Sequence, residues 1–143
     1  MMVNKILKRN TKQRRIILEE LCKLRTHPDA DTIFGMVRRR IPRISYGTVY
    51  RNLNVLRGEG KILELAFGKY SCRYDGTTAY HLHFYCLECK NIFDVEGLNL
   101  KDLDEKVADK LDSEVISHRV EFYGYCQRCR KRTLREGRQE WLR

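Results

Sequence analysis

Long apolar runs are missing from this 143-residue chain: no stretch approaches the roughly 18 apolar residues that a membrane span requires. A targeting segment is missing too, since Met1 to Asn10 interleaves Lys5, Lys8 and Arg9 with short apolar pairs. These absences point to a soluble, cytoplasmic protein with no membrane partner. There is no internal repeat beyond two Cys-x-x-Cys pairs, and no Gly-rich phosphate loop. Once the candidate metal ligands are set aside, no general base or nucleophile remains. A metalloenzyme that activates water at an open His/Asp site is the enzymatic alternative, and this shortage argues against it. Histidine is scarce, with four in the whole chain.

Charge is present, and it is unevenly distributed. The net charge is +10, yet residues 1–70 carry 16 Lys and Arg against 6 Asp and Glu, residues 71–125 carry 6 against 11, and residues 126–143 carry 7 against 2. A basic N-terminal half next to an acidic middle is the electrostatic pattern expected of a polyanion-binding surface. The length suits one ordinary domain or two small ones. A small domain buries proportionally little surface and needs support from a metal or a partner subunit.

The first 75 residues read as three helices and a hairpin. From Thr11 to Leu24, residues Ile17, Leu18, Leu21 and Leu24 share one helical face. His27-Pro28 breaks the chain, and Asp29 is placed to cap a helix whose stripe is Ala30, Ile33, Phe34, Val37 and Ile41, ended by Pro42. Ser45 is placed to cap a third helix, with Val49, Leu53 and Leu56 buried and Gly58 and Gly60 closing it. Ile62–Phe67 and Tyr70–Tyr74 flank Gly68-Lys69, a two-residue hairpin signal. This order is that of a winged helix-turn-helix. The third helix offers Tyr46, Thr48, Tyr50, Arg51 and Asn52 on its free face: Arg pairs with guanine, Asn with adenine, and aromatic or methyl groups pack on thymine. Lys12, Arg14, Arg15 and Arg57 are candidates for phosphate contacts. An ordinary helical bundle with a polar face is the plainer alternative.

Residues 76–143 read as a small α/β unit with a thin core, a candidate for dimerisation, followed by a basic tail from Arg130. His81–Cys86, Asn91–Val95 and Val115–Tyr123 have strand character, and Leu100, Leu103, Val107 and Leu111 form a helical stripe. The fold class expected for the whole chain is therefore α+β, a winged-helix domain followed by this α/β domain.

Cys86-x-x-Cys89 and Cys126-x-x-Cys129 supply four soft thiolates, the set that closes a tetrahedral structural zinc site, and each pair is expected where a strand turns. A redox dithiol would instead need one pair opening a helix within a βαβ unit, and neither feature is read here. Cys22 is read as a small core residue, and Cys72 has no assigned role.

A second constellation is His81-x-His83, whose imidazoles share one strand face, with Asp94 on the next strand, Asp75 after the hairpin and His27 upstream. Three nitrogens and two carboxylates favour a five- or six-coordinate ion such as iron(II) or manganese(II). By spacing, only the His-x-His pair is persuasive. His27 and the aspartates also read as a helix-boundary residue and solvated loop charges.

Taken together, the motifs resemble those of the ferric uptake regulator (Fur) family from Thr11 to about Arg130. The matching stretches are Thr11-Lys12-Gln13-Arg14, His27-Pro28-Asp29-Ala30-Asp31, Ile44 to Leu53, Arg73-Tyr74-Asp75, His81-Leu82-His83 and Glu121 to Cys126. The resemblance implies a homodimeric, metal-dependent repressor of a palindromic double-stranded DNA operator. It also implies structural zinc at Cys86, Cys89, Cys126 and Cys129 and a regulatory iron(II) or manganese(II) at His27, Asp75, His81, His83 and Asp94.

Within the family the chain is more similar to the peroxide-sensing (PerR-like) branch, because Asp75 and Asp94 stand where iron regulators usually carry glutamate. Arg51 departs from that branch, which often has Asn there. An additional metal site of the iron regulators is not expected, since Tyr80, Leu82 and Lys101 replace its ligands and only His118 remains. For the peroxide-sensing branch the resemblance implies oxidation of His27 and His81 when the ion is iron(II). The nearest alternative is an iron, manganese or zinc homeostasis repressor of the same family. A zinc-folded DNA-binding protein without a sensor is a third reading.

Overall fold

The structure is a computed structural model, and it describes residues 11–67 and 72–135. The described chain divides into two compact units between Thr78 and Ala79, slightly beyond the boundary expected after residue 75. The fold class is α+β, as the sequence suggests.

The first unit begins with α1 (Lys12–Cys22), α2 (Ala30–Arg40) and α3 (Tyr46–Gly58). Each helix starts at a residue whose side chain accepts a backbone N–H left unpaired by the first turn: Thr11 from Arg14, Asp29 from Thr32 and Ser45 from Thr48. Each such cap contributes about 1 kcal/mol. The apolar stripes meet in one core in which Ile17, Ile33, Val37, Val49 and Leu53 are 0% exposed. Burying one such side chain contributes about 1.5–3 kcal/mol, so this interior holds the three helices together.

Two short strands follow, β1 (Leu63–Leu65) and β2 (Arg73–Asp75), paired antiparallel with Leu63 opposite Asp75. The Gly68-Lys69 turn expected between them lies outside the described residues. Asp75 is the last residue of β2 rather than a residue beyond the hairpin.

The second unit contains β3 (Leu82–Cys86), β4 (Ile92–Val95), α4 (Lys101–Leu111), β5 (Phe122–Gly124) and α5 (Gln127–Arg135). Its sheet runs β4-β3-β5, antiparallel between β3 and β4 and parallel between β3 and β5. The long strand expected over Val115–Tyr123 is corrected to Phe122–Gly124, because only there does the chain pair with β3. Gly124 fits this pairing closely: a Cβ at this position would lie 3.1 Å from the Phe84 ring.

The core of this unit is thin. Leu82, Tyr85, Cys86, Ile92 and Cys129 are buried, whereas α4 buries none of its residues. Its stripe remains open, with Leu103 48%, Val107 40% and Leu111 70% exposed. None of the described helices is long and apolar enough to cross a membrane.

Candidate functional site

The four cysteines converge. Cys86 ends β3, and Cys89 closes a tight turn in which the Lys90 N–H donates to Cys86 O (2.9 Å) and the Cys86 N–H donates to Asn91 O (2.9 Å). Lys90 takes the left-handed conformation that this return requires (φ 62°). Cys126 lies between β5 and α5, and Cys129 sits in the first turn of α5. The second pair therefore opens a helix, contrary to the expectation that both pairs occupy strand turns. A local redox pair is nevertheless not what forms, because all four sulfurs lie within 4.8 Å of one another.

The backbone also supports negative charge here, with the Cys126 N–H 3.3 Å from Cys86 Sγ. Burial pushes the Cys86 thiol up, but backbone N–H groups of Cys126, Cys89 and Glu88 outweigh it and hold Cys86 down at about 6. Burial, together with hydrogen bonds to the surrounding thiols, pushes Cys129 up to about 12. Four crowded sulfurs cannot all ionise unless a cation compensates them, and a soft dication does that. The donor set fits a closed metal site.

The remaining cysteines lie apart from this cluster. Cys22 is exposed, correcting the expectation of a core residue: it ends α1 beside the Gly76 backbone rather than on the apolar stripe. Cys72 is exposed, 3.7 Å from Glu64 Oε1.

The histidine and aspartate candidates occupy both units. In the first, His27 Nε2 lies 3.3 Å from Asp75 Oδ2, and their side chains are only 2% and 5% exposed. His27 sits in the left-handed region (φ 50°), which costs a residue with a Cβ roughly 1–2 kcal/mol. β2 holds it there: Arg73 donates to His27 O (3.3 Å), and the Tyr74 N–H donates to Pro28 O (2.9 Å). The Thr77 N–H orients the other Asp75 oxygen at 2.8 Å. Sequence reasoning missed Arg73 and Thr77 as supports, because both act on backbone or carboxylate groups that no motif marks.

In the second unit, β-sheet register places His83 opposite Asp94. His81 and His83 share a face with ring centroids 4.4 Å apart, and their Nε2 atoms lie 3.2 and 3.6 Å from Asp94 Oδ1. His81 Nδ1 is 2.7 Å from Ala79 O, so this nitrogen carries the proton and donates. In the neutral ring, Nε2 then turns its lone pair towards a carboxylate, which is favourable only with a cation between them. This donor set fits a bound metal.

The nucleic-acid candidates divide less evenly. Tyr46 (42%) and Tyr50 (47%) are exposed and stacked, with centroids 6.4 Å apart. Thr48 lies between them in sequence and Arg51 follows Tyr50, and Arg51 Nη2 donates to Thr48 Oγ1 (3.2 Å). Lys12 and Arg15 are exposed on α1. Arg57 is exposed but ion-paired to Glu64 of β1 at 2.6 Å.

Two candidates depart from the expected free surface. Asn52 is 8% exposed, donates to Thr48 O (2.9 Å) and accepts from Arg14 Nε (3.1 Å); Arg14 is itself 8% exposed. Their side chains tie α1 to α3 instead of facing solvent. Asn52→Ala is expected to lower stability by about 1–3 kcal/mol, since it removes the buried hydrogen bond that Arg14 Nε donates to Asn52 Oδ1. Thermal unfolding checks this, and an unchanged melting temperature would contradict it.

Outside the expected sites, His118 Nδ1 lies 2.8 Å from Asp104 Oδ1, and His118 Nε2 lies 3.2 Å from the Tyr80 hydroxyl.

The sequence profile of the Ferric uptake regulator family matches residues 6–123. The peroxide operon regulator of Bacillus subtilis is 39% identical over 124 residues, spanning 87% of this chain and 86% of that protein. Among solved structures, the Helicobacter pylori ferric uptake regulator, described as having three functional metal-binding sites, aligns with a TM-score of 0.77 at 29% identity, covering 85% of this chain and 81% of that one. The Campylobacter jejuni peroxide stress regulator aligns with a TM-score of 0.67 at 30% identity, over 82% and 88% of the two chains. All three are named as regulators, in keeping with a non-enzymatic role.

Proposed function

Because this chain belongs to the ferric uptake regulator family, we propose that it is a metal-dependent, DNA-binding transcriptional repressor whose regulatory ion makes it sensitive to peroxide. The observation that carries this reading is the pair of imidazoles, His81 and His83, that turn Nε2 towards Asp94. His27 and Asp75 would complete a set of three nitrogens and two carboxylates, which suits iron(II) or manganese(II) better than zinc. The four cysteines would hold structural zinc.

With ligands contributed by both units, one ion would favour one arrangement of the DNA-reading unit. In a homodimer that sets the spacing of two α3 helices against a palindromic operator. The open face of α4 is suited to cover a second copy of itself. A cytoplasmic location would suit zinc ligation by four thiolates and access to DNA. Tyr46, Thr48, Tyr50 and Arg51 would read bases, with Lys12 and Arg15 on phosphates. Arg57 can join them only by exchanging its Glu64 partner. In this reading Asn52 and Arg14 position α3.

Held by these ligands, iron(II) would supply the electrons that reduce peroxide, and His27 and His81 are the imidazoles expected to gain oxygen. The resemblance to the peroxide operon regulator supports this branch. The homeostasis alternative draws on the likeness to the Helicobacter pylori ferric uptake regulator and on Arg51.

Anaerobic DNA binding by zinc-loaded protein with iron(II) or manganese(II), each with and without peroxide, tests the two. Release of DNA in the iron sample alone, with oxygen gained on the His27 or His81 peptide, is the expected result. Metal-dependent binding indifferent to peroxide would make the protein a homeostasis repressor.

A further inference from the structure

α5 has two dissimilar sides. One carries Cys129, 2% exposed within the cysteine cluster. The other carries Arg128, Lys131, Arg132 and Arg135 at the i, i+3, i+4 and i+7 positions of one helical face, and the helix contains no acidic residue. Arg132 is held by Glu88, which lies between the two cysteines of the first pair, so that ion pair helps to join the halves of the cluster. Arg128, Lys131 and Arg135 are exposed and have no carboxylate partner among the described residues.

A merely solvated basic face is usually laced with carboxylates at i±4. Here three cations are left open in a unit whose residues 79–125 carry 5 basic against 10 acidic side chains. The family profile ends at residue 123, so this charge lies beyond the part of the chain that the family match covers.

We propose that this face of α5 is a second, sequence-independent DNA contact, in which Arg128, Lys131 and Arg135 bind the phosphate backbone of duplex DNA while Cys126 and Cys129 anchor the helix. The inference rests on the DNA-binding reading above. Three cations spread over eight residues span about 10 Å of helix, enough to meet about three phosphates of one strand. Two of the three are arginines, whose planar fork grips phosphate with paired hydrogen bonds.

The test uses the full zinc-loaded chain and a duplex of about 40 base pairs of arbitrary sequence, titrated between about 50 and 200 mM salt. R128Q/K131Q/R135Q is expected to flatten the dependence of log K on log salt by about 2–3, at about 0.9 per phosphate lost. Binding at about 0.1 M salt should weaken at least about tenfold. R128K/R135K should keep the wild-type slope. K101Q/K106Q/K110Q on α4 removes the same charge elsewhere and should leave the slope unchanged.

An unchanged slope in the α5 variant, or an equal loss in the α4 variant, would overturn the proposal. If the triple variant loses zinc, R128Q and R135Q singly should each flatten the slope by about 0.9, and no change in either would overturn it. Wild-type protein that binds no duplex under any of these conditions would overturn the DNA-binding reading itself, which separates the two failures.

Discussion

Replacing Cys129 by serine is expected to abolish zinc binding and with it the fold of the second unit. A hydroxyl does not ionise near neutral pH and is a poor ligand for a soft dication, so the site loses one of four donors and its charge balance. A structural zinc site of this kind contributes about 10–16 kcal/mol of apparent binding energy, which counts directly as folding energy where the site forms only in the folded chain. A core of Leu82, Tyr85, Cys86 and Ile92 supplies only about 6–12 kcal/mol before the entropy of ordering the unit is subtracted, so it does not hold the unit without the metal. The measurement is metal content by mass spectrometry with circular dichroism on heating. Zinc should fall from one per chain to none, and the unfolding transition of this unit should disappear. Cys72→Ser, outside the cluster, should change neither. A folded Cys129→Ser protein with its melting unchanged would show that the cluster is not structural.

The second large effect belongs to His83. It lies on β3 opposite Asp94, is buried to 8% exposure and turns Nε2 towards the Asp94 carboxylate. His83→Ala removes a ligand without touching the cysteine cluster, so the protein should fold and keep its zinc. Loss of a residue that merely supports a ligand costs about 10–100-fold in metal affinity, and loss of a ligand should cost about 100-fold or more. DNA binding should then stop responding to iron(II) or manganese(II), because the two ligation states no longer differ in free energy. Fluorescence anisotropy on a labelled operator, with and without metal, measures this. A wild-type metal response in His83→Ala would remove the site from the mechanism and favour a zinc-folded DNA-binding protein without a sensor. Asp104→Ala, which breaks only the His118 pair, should retain the response.

Much of the first unit was legible in the sequence because its determinants are local. A capping side chain reaches only three residues along, as Asp29 and Ser45 do, and a stripe such as Val49, Leu53 and Leu56 marks its own helix. The four cysteines were legible for a related reason: two close spacings each pre-form half of a site. The His-x-His pair follows from the alternation of a strand, with His81 at its threshold and His83 within it.

Other features were decided by partners far away in the chain. Asn52 looked like a base reader because its helical position is polar, but Arg14, 38 residues earlier, draws it into a buried hydrogen bond. Cys22 looked apolar enough for a core, yet it falls off the stripe at the end of α1. Residues 115–121 have strand character but pair with no strand among the described residues, so only Phe122–Gly124 joins the sheet. The α4 stripe names an apolar face without naming what covers it, and within this chain it buries none of its residues.

The sequence by itself therefore determined the capped helices, the two cysteine pairs and the His-x-His strand, since each depends on groups a few residues apart. Only the tertiary structure decided which polar side chains stay free, which strands pair and that the second cysteine pair opens a helix. Those outcomes depend on which distant segments come to share a hydrogen bond or a buried surface, and local spacing carries no record of that.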